Sequence, residues 1–500
     1  MNEALNHLPV FNALQKEFML YKEVWQAPAH LKLDQTRLKY SAIFRRFQGA
    51  SSTQATVIHP QQEPIPMWIA DMDIPPCNDI LIAITQNLRS TYGYQSLDIG
   101  QAVAKRFERS APKSSRFRVE CTDVVDVASV IGAVDLALRT FCEPGQKVMV
   151  LTPTYSPLTE AIKNNALEPL YIPLVKQHCS VETKFTNEPT MSIDQNTIVQ
   201  QADAIATTLD VGTLDKTAAA FVICHPNNPT GTVLCAKTQR KIIDFCAHHN
   251  ILLITDEVHS EFAFNSSNEP SIIPIFGADT DEGQNHSRKN DVQISHGNVS
   301  SVENRKEQTN DIAAPLPRII HLNSASKAFN LASIPGASYA IIKDKKTRQT
   351  FAQAINERHL NASNLSKVAL IAAYEKGSVW LDTVKSALSF NRKLVVRFFE
   401  YYGIQVDYTM GRAGYFLWLD LSSFPTHLKN TSYKDKTSSS EAPRLLQNYS
   451  PVNSVEECIE RGVIGNDGAP FGSPHYIRLN LACHPIVIET ALQRLCFRNE

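Results

Sequence analysis

Lys327 is the residue on which the other chemistry-bearing positions converge. It stands in Asn323-Ser324-Ala325-Ser326-Lys327-Ala328-Phe329-Asn330, directly after the apolar run Ile319-Ile320-His321-Leu322. A lysine amine forms a Schiff base with an aldehyde only when it is held close and can lose its proton, and burial beside other cations favours both. Ser324 and Ser326 add hydroxyls at a turn, a combination suited to an anion such as phosphate. The same run also reads as a plain helix start, with Ser324 or Ser326 as N-cap and Lys327 in water. Its company decides between these. Asp256, in Asp256-Glu257-Val258-His259, closes the apolar run 251–255, and Tyr155 follows the apolar run 147–151 through Thr152-Pro153-Thr154. The run 221–224 leads into His225-Pro226-Asn227-Asn228-Pro229-Thr230-Gly231. Side chains just past the C-terminal ends of buried parallel strands are where α/β sheets bind ligands. Each motif keeps a local reading as well: a turn for Asn-Pro-Thr-Gly, an exposed loop for Asp-Glu, core for Tyr155, a satisfied buried imidazole for His259 and a surface ion pair for Arg478.

The elements that must position these residues follow from periodicity. From Val124 onward strands and helices alternate, which predicts a mostly parallel sheet covered on both faces. Strands are expected over 124–128, 147–151, 221–224 and 251–255, with helices over 133–141 and 237–248. Ser129-Val130-Ile131-Gly132 is expected as the turn before the first of these helices, presenting N–H groups to a phosphate. Upstream, the pattern predicts an amphipathic helix over 11–25 and a loop over 51–62. Then comes the apolar segment Pro66-Met67-Trp68-Ile69-Ala70-Asp71-Met72-Asp73, closed by Pro75-Pro76. Helices over 79–89 and 99–110 flank Tyr92-Gly93-Tyr94. Downstream, helices over 343–358, 365–376, 379–399 and 486–497 and strands over 415–421 and 476–481 predict a second, smaller α/β unit. The expected organisation is an N-terminal segment, 1–75, packing with the small domain; a large domain, 76–345; and a small C-terminal domain, 346–500. Residues 277–317 and 426–450 are polar, poor in apolar side chains, and expected to be mobile surface insertions.

Bulk properties narrow the class. Five hundred residues with 43% apolar content can bury a large core. With 49 basic against 50 acidic residues and a formal charge of -1, the balance gives no reason to expect a nucleic-acid or anionic-membrane partner. The ten cysteines are scattered without a Cys-x-x-Cys pair, as in reducing compartments. No apolar stretch approaches the roughly 18 to 20 residues that span a bilayer, so the expectation is a soluble, cytoplasmic protein. The sequence has neither a metal-ligand cluster nor a Gly-x-Gly-x-x-Gly fingerprint.

Taken in chain order, Tyr94, Tyr155, Asn228, Asp256, Lys327 and Arg478 resemble the site of fold-type I enzymes dependent on pyridoxal 5'-phosphate (PLP). The Met67–Asp73 stretch, Tyr92-Gly93-Tyr94, Asp256-Glu257-Val258-His259, Ser326-Lys327-Ala328-Phe329-Asn330 and Ile477-Arg478-Leu479-Asn480 resemble more narrowly the MalY/PatB type of C–S β-lyase (cystathionine β-lyase) of the class I/II aminotransferase superfamily. The resemblance runs from about Pro66 to the C-terminus, apart from the two polar stretches. It implies an α/β fold with a mostly parallel central sheet plus a smaller α/β domain, working as a homodimer. Lys327 would carry the cofactor and move the Cα proton, and Asp256 would keep the ring nitrogen protonated. Asn228 would bond the phenolic oxygen with His259 nearby, and Tyr155 would stack on the ring and reach the leaving group. Val130 and Ile131 through their backbone, with Ser324 and Ser326, would hold the phosphate, aided by Tyr94 of the partner subunit. Arg478 would clamp the α-carboxylate of an amino-acid substrate. The implied reaction cleaves cystathionine or another L-cysteine S-conjugate to a thiol, pyruvate and ammonia. Ser333-Ile334-Pro335-Gly336 stands where many transaminating relatives carry a phosphate-pairing arginine, and Ser129 stands where glycine is common. Two alternatives stay open: an aminotransferase on the same cofactor, and a PLP-bound regulatory protein whose polar stretches bind a partner.

Overall fold

Strands buried on both faces need helices on either side, and the central part of the chain meets that demand with a seven-stranded sheet. The structure, a computed structural model, describes residues 8–25, 39, 64–110, 117–174, 211–265, 276–277, 317–426 and 448–498. The expected loop 51–62 and, apart from their ends, the polar stretches 277–317 and 426–450 lie outside the described residues.

After a short β1 (Ile65–Pro66) come β2 (Val124–Val127), β3 (Lys147–Thr152), β4 (Glu168–Pro173), β5 (Ala220–Cys224), β6 (Leu252–Asp256), β7 (Ile319–Ser324) and β8 (Ser338–Ile341). The order across the sheet is β2-β8-β7-β6-β5-β3-β4. β8 runs antiparallel to both neighbours, and the other pairings are parallel. Because side chains alternate across a strand, Val148 and Val150 of β3 join a core with the helices Val130–Phe141 and Lys345–Glu357, whereas Met149 and Leu151 join a second core with Ala236–His248. β5 and β6 are buried at every position. This explains why they read as continuous apolar runs.

A four-stranded antiparallel sheet follows, built of β9 (Tyr408–Thr409), β10 (Phe416–Asp420), β12 (Asn466–Asp467) and β13 (Tyr476–Asn480) in the order β12-β13-β10-β9. The helices Ser378–Tyr402 and Pro485–Cys496 pack beside it. Strand β11 (Val463–Ile464) pairs with β1 in parallel. The N-terminal stretch is fastened to the last helix as well: Glu489, fully buried, accepts the backbone N–H groups of Val10 and Phe11 at 3.1 and 2.6 Å.

Several boundaries differ from expectation. The single helix expected over 11–25 is two short ones, Pro9–Ala13 and Gln15–Phe18, because Leu14 at φ -96°, ψ 5° leaves the helical basin between them. Ser129 to Gly132 is not a turn before a helix but its first turn. Ser129 is the N-cap and its hydroxyl accepts Gly132 N–H at 3.0 Å, the usual way a helix end satisfies an orphan donor. β4 and β8 lie where no strand was expected; β4 carries Pro169 and Pro173, which an edge strand tolerates. The helix Asn364–Lys376, expected in the small domain, packs against Asn78–Ser90 and Gly100–Ser110. Among the described residues no helix is long and apolar enough to cross a membrane, and the nine cysteines described are unpaired.

Candidate active site

β6 and β7 are parallel neighbours. β6 ends on Asp256, and β7 passes through Ser324 into the short helix Ala325–Ala328 that carries Lys327. Both side chains line one cavity of about 450 Å³, together with Tyr155, Asn228, His259, Ser326 and Arg478. That volume suits a small cofactor and substrate. Tyr155 enters three residues after β3, as N-cap of Ser156–Asn164. Asn228 enters after β5, on a turn built by its neighbour: Asn227 Oδ1 accepts from the Thr230 hydroxyl at 2.8 Å, and its Nδ2 donates to the Pro153 carbonyl at 3.1 Å. Gly231 in that turn has φ +71°, and a Cβ there would collide with the Ala413 carbonyl. The backbone of Val130 and Ile131, at the start of the 12-residue helix after β2, lines the same cavity.

Trp68, Ile69 and Ala70 form another wall of the cavity. Residues 68–73 are bonded on several sides. Arg478 Nη2 donates to the Trp68 carbonyl at 3.0 Å, and Asn480 Nδ2 donates to the carbonyls of Ile69 and Asp71 at 2.7 and 2.8 Å. Asn330 exchanges two hydrogen bonds with the Met72 backbone, at 3.0 and 3.1 Å. Lys39 and Asp73 form a buried ion pair at 2.7 Å.

Burial sets the electrostatics. It pushes the Lys327 amine down from its ordinary range, and Arg478 adds to this while Asp256 and Asp71 oppose it. Burial raises Asp256 to about 6, against the Val258 N–H and Lys327. His259 is driven down to about 3 by burial, then by Lys327 and Arg478, so it is neutral near pH 7. Burial also raises the Tyr155 hydroxyl. Arg478 is lowered to about 10 by burial, and the groups that act on it are Tyr415, Tyr155 and Cys224 rather than a carboxylate. Its Nη1 donates to Asn228 Oδ1 at 2.7 Å, while its Nε is buried without a partner, as is Nδ1 of His259.

These groups fit an aldehyde-bearing, phosphorylated heteroaromatic ring such as PLP. Lys327 offers an amine of reduced basicity, and Asp256 offers a buried carboxylate on which Lys327 acts as the cation. The helix start at Val130 and Ile131 with the Ser326 hydroxyl offers an anion seat. The Nε of Arg478 adds a buried donor that has no protein partner among the described residues.

Two expected residues are elsewhere. Ser324 is 1% exposed and does not face the cavity; its hydroxyl donates to the Ala337 carbonyl at 2.7 Å and accepts from Ser326 N–H and the Ser338 hydroxyl, both at 3.0 Å. It is the N-cap of Ala325–Ala328, the local reading of that serine, because a buried hydroxyl between two strands must satisfy the neighbouring backbone first. Tyr94 is fully exposed and is not brought to the cavity within one chain. The lining residues not anticipated as site residues include Trp68, Ile69, Ala70, Cys224, Val258 and Asn466. The 68–70 motif was itself a signal, whereas Asn466 sits on a two-residue strand opposite Arg478 and has no sequence signature.

A mostly parallel sheet whose strand ends bring together a buried lysine and an aspartate, faced by an arginine from the second sheet, has the α/β architecture of PLP-dependent fold-type I enzymes. The chain belongs to the aminotransferase class I and II family, whose description matches residues 61–495. It is similar to cystathionine beta-lyase PatB of Bacillus subtilis, at 22% identity over 86% of this chain and 91% of that protein. It is also similar to protein MalY of Escherichia coli, at 24% identity over 84% and 87%. Among solved structures, the PLP-bound C–S lyase of Staphylococcus hominis in complex with L-cycloserine superposes with a TM-score of 0.65, at 21% identity over 95% of this chain and 96% of that one.

Proposed function

We propose that this chain is a PLP-dependent C–S β-lyase that cleaves L-cystathionine or a related L-cysteine S-conjugate to a thiol, pyruvate and ammonia. The observation that carries the reading is the meeting in one cavity of Asp256 and Lys327, from the ends of neighbouring strands, with Arg478 of β13. The names of the relatives point the same way. When bound, PLP supplies the aldehyde that takes the substrate amine and the ring that accepts the electron pair left at Cα.

The chain's own residues do the rest. Arg478 would take the α-carboxylate through its remaining N–H donors and so orient the substrate in the cavity. Lys327 Nζ, made less basic by burial, would take the Cα proton. Asp256 holds the proton on the ring nitrogen. Asn228, whose Oδ1 is committed to Arg478, has its amide N–H groups to offer the phenolic oxygen. His259 stays neutral beside it. Tyr155, kept protonated by burial, has a proton to give the departing thiolate. The N–H groups of Val130 and Ile131 and the hydroxyl of Ser326 hold the phosphate, and Trp68, Ile69 and Ala70 limit water access.

The reading includes a cytoplasmic homodimer with a shared site. The helix Asn78–Ser90 exposes Leu81, Ile82 and Leu88, and Tyr92 and Tyr94 follow it fully open to solvent. A second copy covering this face would bring Tyr94 of the partner subunit to the phosphate. It also includes the division 1–75, 76–345 and 346–500, with the helices Lys345–Glu357 and Asn364–Lys376 lying against the large part.

The test is an assay of pyruvate from purified protein and cystathionine, with and without an added 2-oxo acid. Pyruvate without the oxo acid is expected. Turnover that depends wholly on the oxo acid would replace the lyase by an aminotransferase.

A further inference from the structure

The charge of Arg478 is held in an unusual way, and its neighbours on the second sheet explain how. In the β10–β13 ladder Trp418 stands opposite Arg478 and Phe416 opposite Asn480. Phe416 and Arg478 are therefore diagonal neighbours on one face, within reach of a long side chain. The guanidinium carbon lies 4.2 Å from the centroid of the Phe416 ring. Phe471, from the separate turn Ala469–Phe471, lies 5.2 Å away. Both rings are 4% exposed. The Phe416 ring also meets the edge of His259, at 5.4 Å and 77°.

A buried guanidinium needs compensation, and a carboxylate partner would be the common form of it. A carboxylate would also occupy the forked N–H edge that a substrate carboxylate needs. An aromatic face stabilises the cation from above its plane and uses none of its N–H donors. The two bonds from Nη1 and Nη2 to Asn228 and Trp68 fix the fork within its plane, and the ring fixes the tilt of that plane.

We propose that Phe416, seconded by Phe471, is a positioning residue for carboxylate recognition: its ring face keeps Arg478 charged and oriented while using none of the N–H donors that an incoming carboxylate needs. This rests on reading Arg478 as the substrate-carboxylate clamp. Phe416 touches no reacting atom.

The test is a double-mutant cycle on kcat/KM for pyruvate release from cystathionine, using the protein with its cofactor. Phe416→Leu is expected to raise KM about tenfold, ~1.4 kcal/mol, with kcat within about twofold. In an Arg478→Ala background the same substitution is expected to cost less than about twofold, because coupling vanishes with the partner. Phe416→Tyr, which keeps the ring face, is expected to stay near the parent. A second readout needs no turnover: calorimetric binding of 3-(methylthio)propanoate, which carries a carboxylate but no amine, should weaken about tenfold in Phe416→Leu. An equal loss in both backgrounds, or no loss of carboxylate binding, overturns the proposal. If Phe416→Leu does not fold, Phe471→Leu takes its place in the same cycle, with a threefold coupled loss expected and an uncoupled one overturning it. Parent protein that neither binds the propanoate nor forms pyruvate sinks the reading of the site instead, which distinguishes the two failures.

Discussion

Two buried arginines in this molecule have opposite surroundings. Arg106, on the helix Gly100–Ser110, grips Glu261 with two hydrogen bonds, at 3.1 and 2.5 Å, donates a third to the Ser378 hydroxyl, and lies over the Tyr374 ring. Burial lowers its pKa, but Glu261 more than offsets this and leaves it above the ordinary value. Arg478 is more buried and closer to aromatic rings, yet its polar contacts are two neutral oxygens and it is lowered to about 10. The first arginine has its anion built in. The second has a place for one, and Glu261 is only two residues along from His259 of the cavity, so the difference belongs to the site and not to the region.

Substitutions can break this contrast. The largest effect is expected from Lys327→Ala, which should lower pyruvate release by about 10³-fold or more, with only a small change in the urea midpoint, since among the described residues the amine makes no hydrogen bond or salt bridge and interacts with Asp256 only at longer range. Retained turnover would remove the cavity from the chemistry. Glu261→Ala should do the reverse, lowering the unfolding free energy by about 3 to 5 kcal/mol because Arg106 is left buried and unpaired. Urea titration measures it, and a loss under 1 kcal/mol would mean that the Arg106 pair is not the closed unit described above. Arg478→Lys should raise KM about tenfold with little change in the urea midpoint, since an ammonium cannot make the forked contact; steady-state kinetics decides it.

The smallest effect concerns pH. Asp256 has a folded pKa of about 6 against an ordinary carboxylate value, so the cofactor-free fold binds its proton more tightly than the unfolded chain does. Its contribution to stability is complete below about 4 and is lost as pH rises through about 6. Asp256→Asn should flatten that part of the stability profile, read by thermal unfolding between pH 4 and 7. An unchanged slope would place the carboxylate in a more solvated setting.

Much of the fold was legible because β5 and β6 are buried on both faces and so read as unbroken apolar runs that end on polar residues. For the same reason the end of β6 at Asp256, and the turn that carries Asn228 beyond β5, are legible in the sequence. Ser324 is ambiguous in the sequence because a serine beside a catalytic-type lysine has the same local pattern whether its hydroxyl serves a ligand or caps four helical residues. β8 was missed because its ladder with β2 and β7 is a long-range fact, and Ser338 to Ile341 carries no alternation of its own. Asn466 and Phe416 were invisible for a related reason: each acts through a residue opposite it on another strand.

Residues 68 to 73 are read by side chains, yet what is read is mostly main chain. Arg478 and Asn480, two positions apart on β13, hold the carbonyls of Trp68, Ile69 and Asp71, and Asn330 holds both backbone groups of Met72. A chimera that imports this segment from another enzyme therefore has some freedom in its side chains but very little in its length. Inserting or deleting one residue there would slide the carbonyls out of register with β13 and with Asn330 together, so the transplantable unit is a discontinuous one, made of the segment and both of its readers.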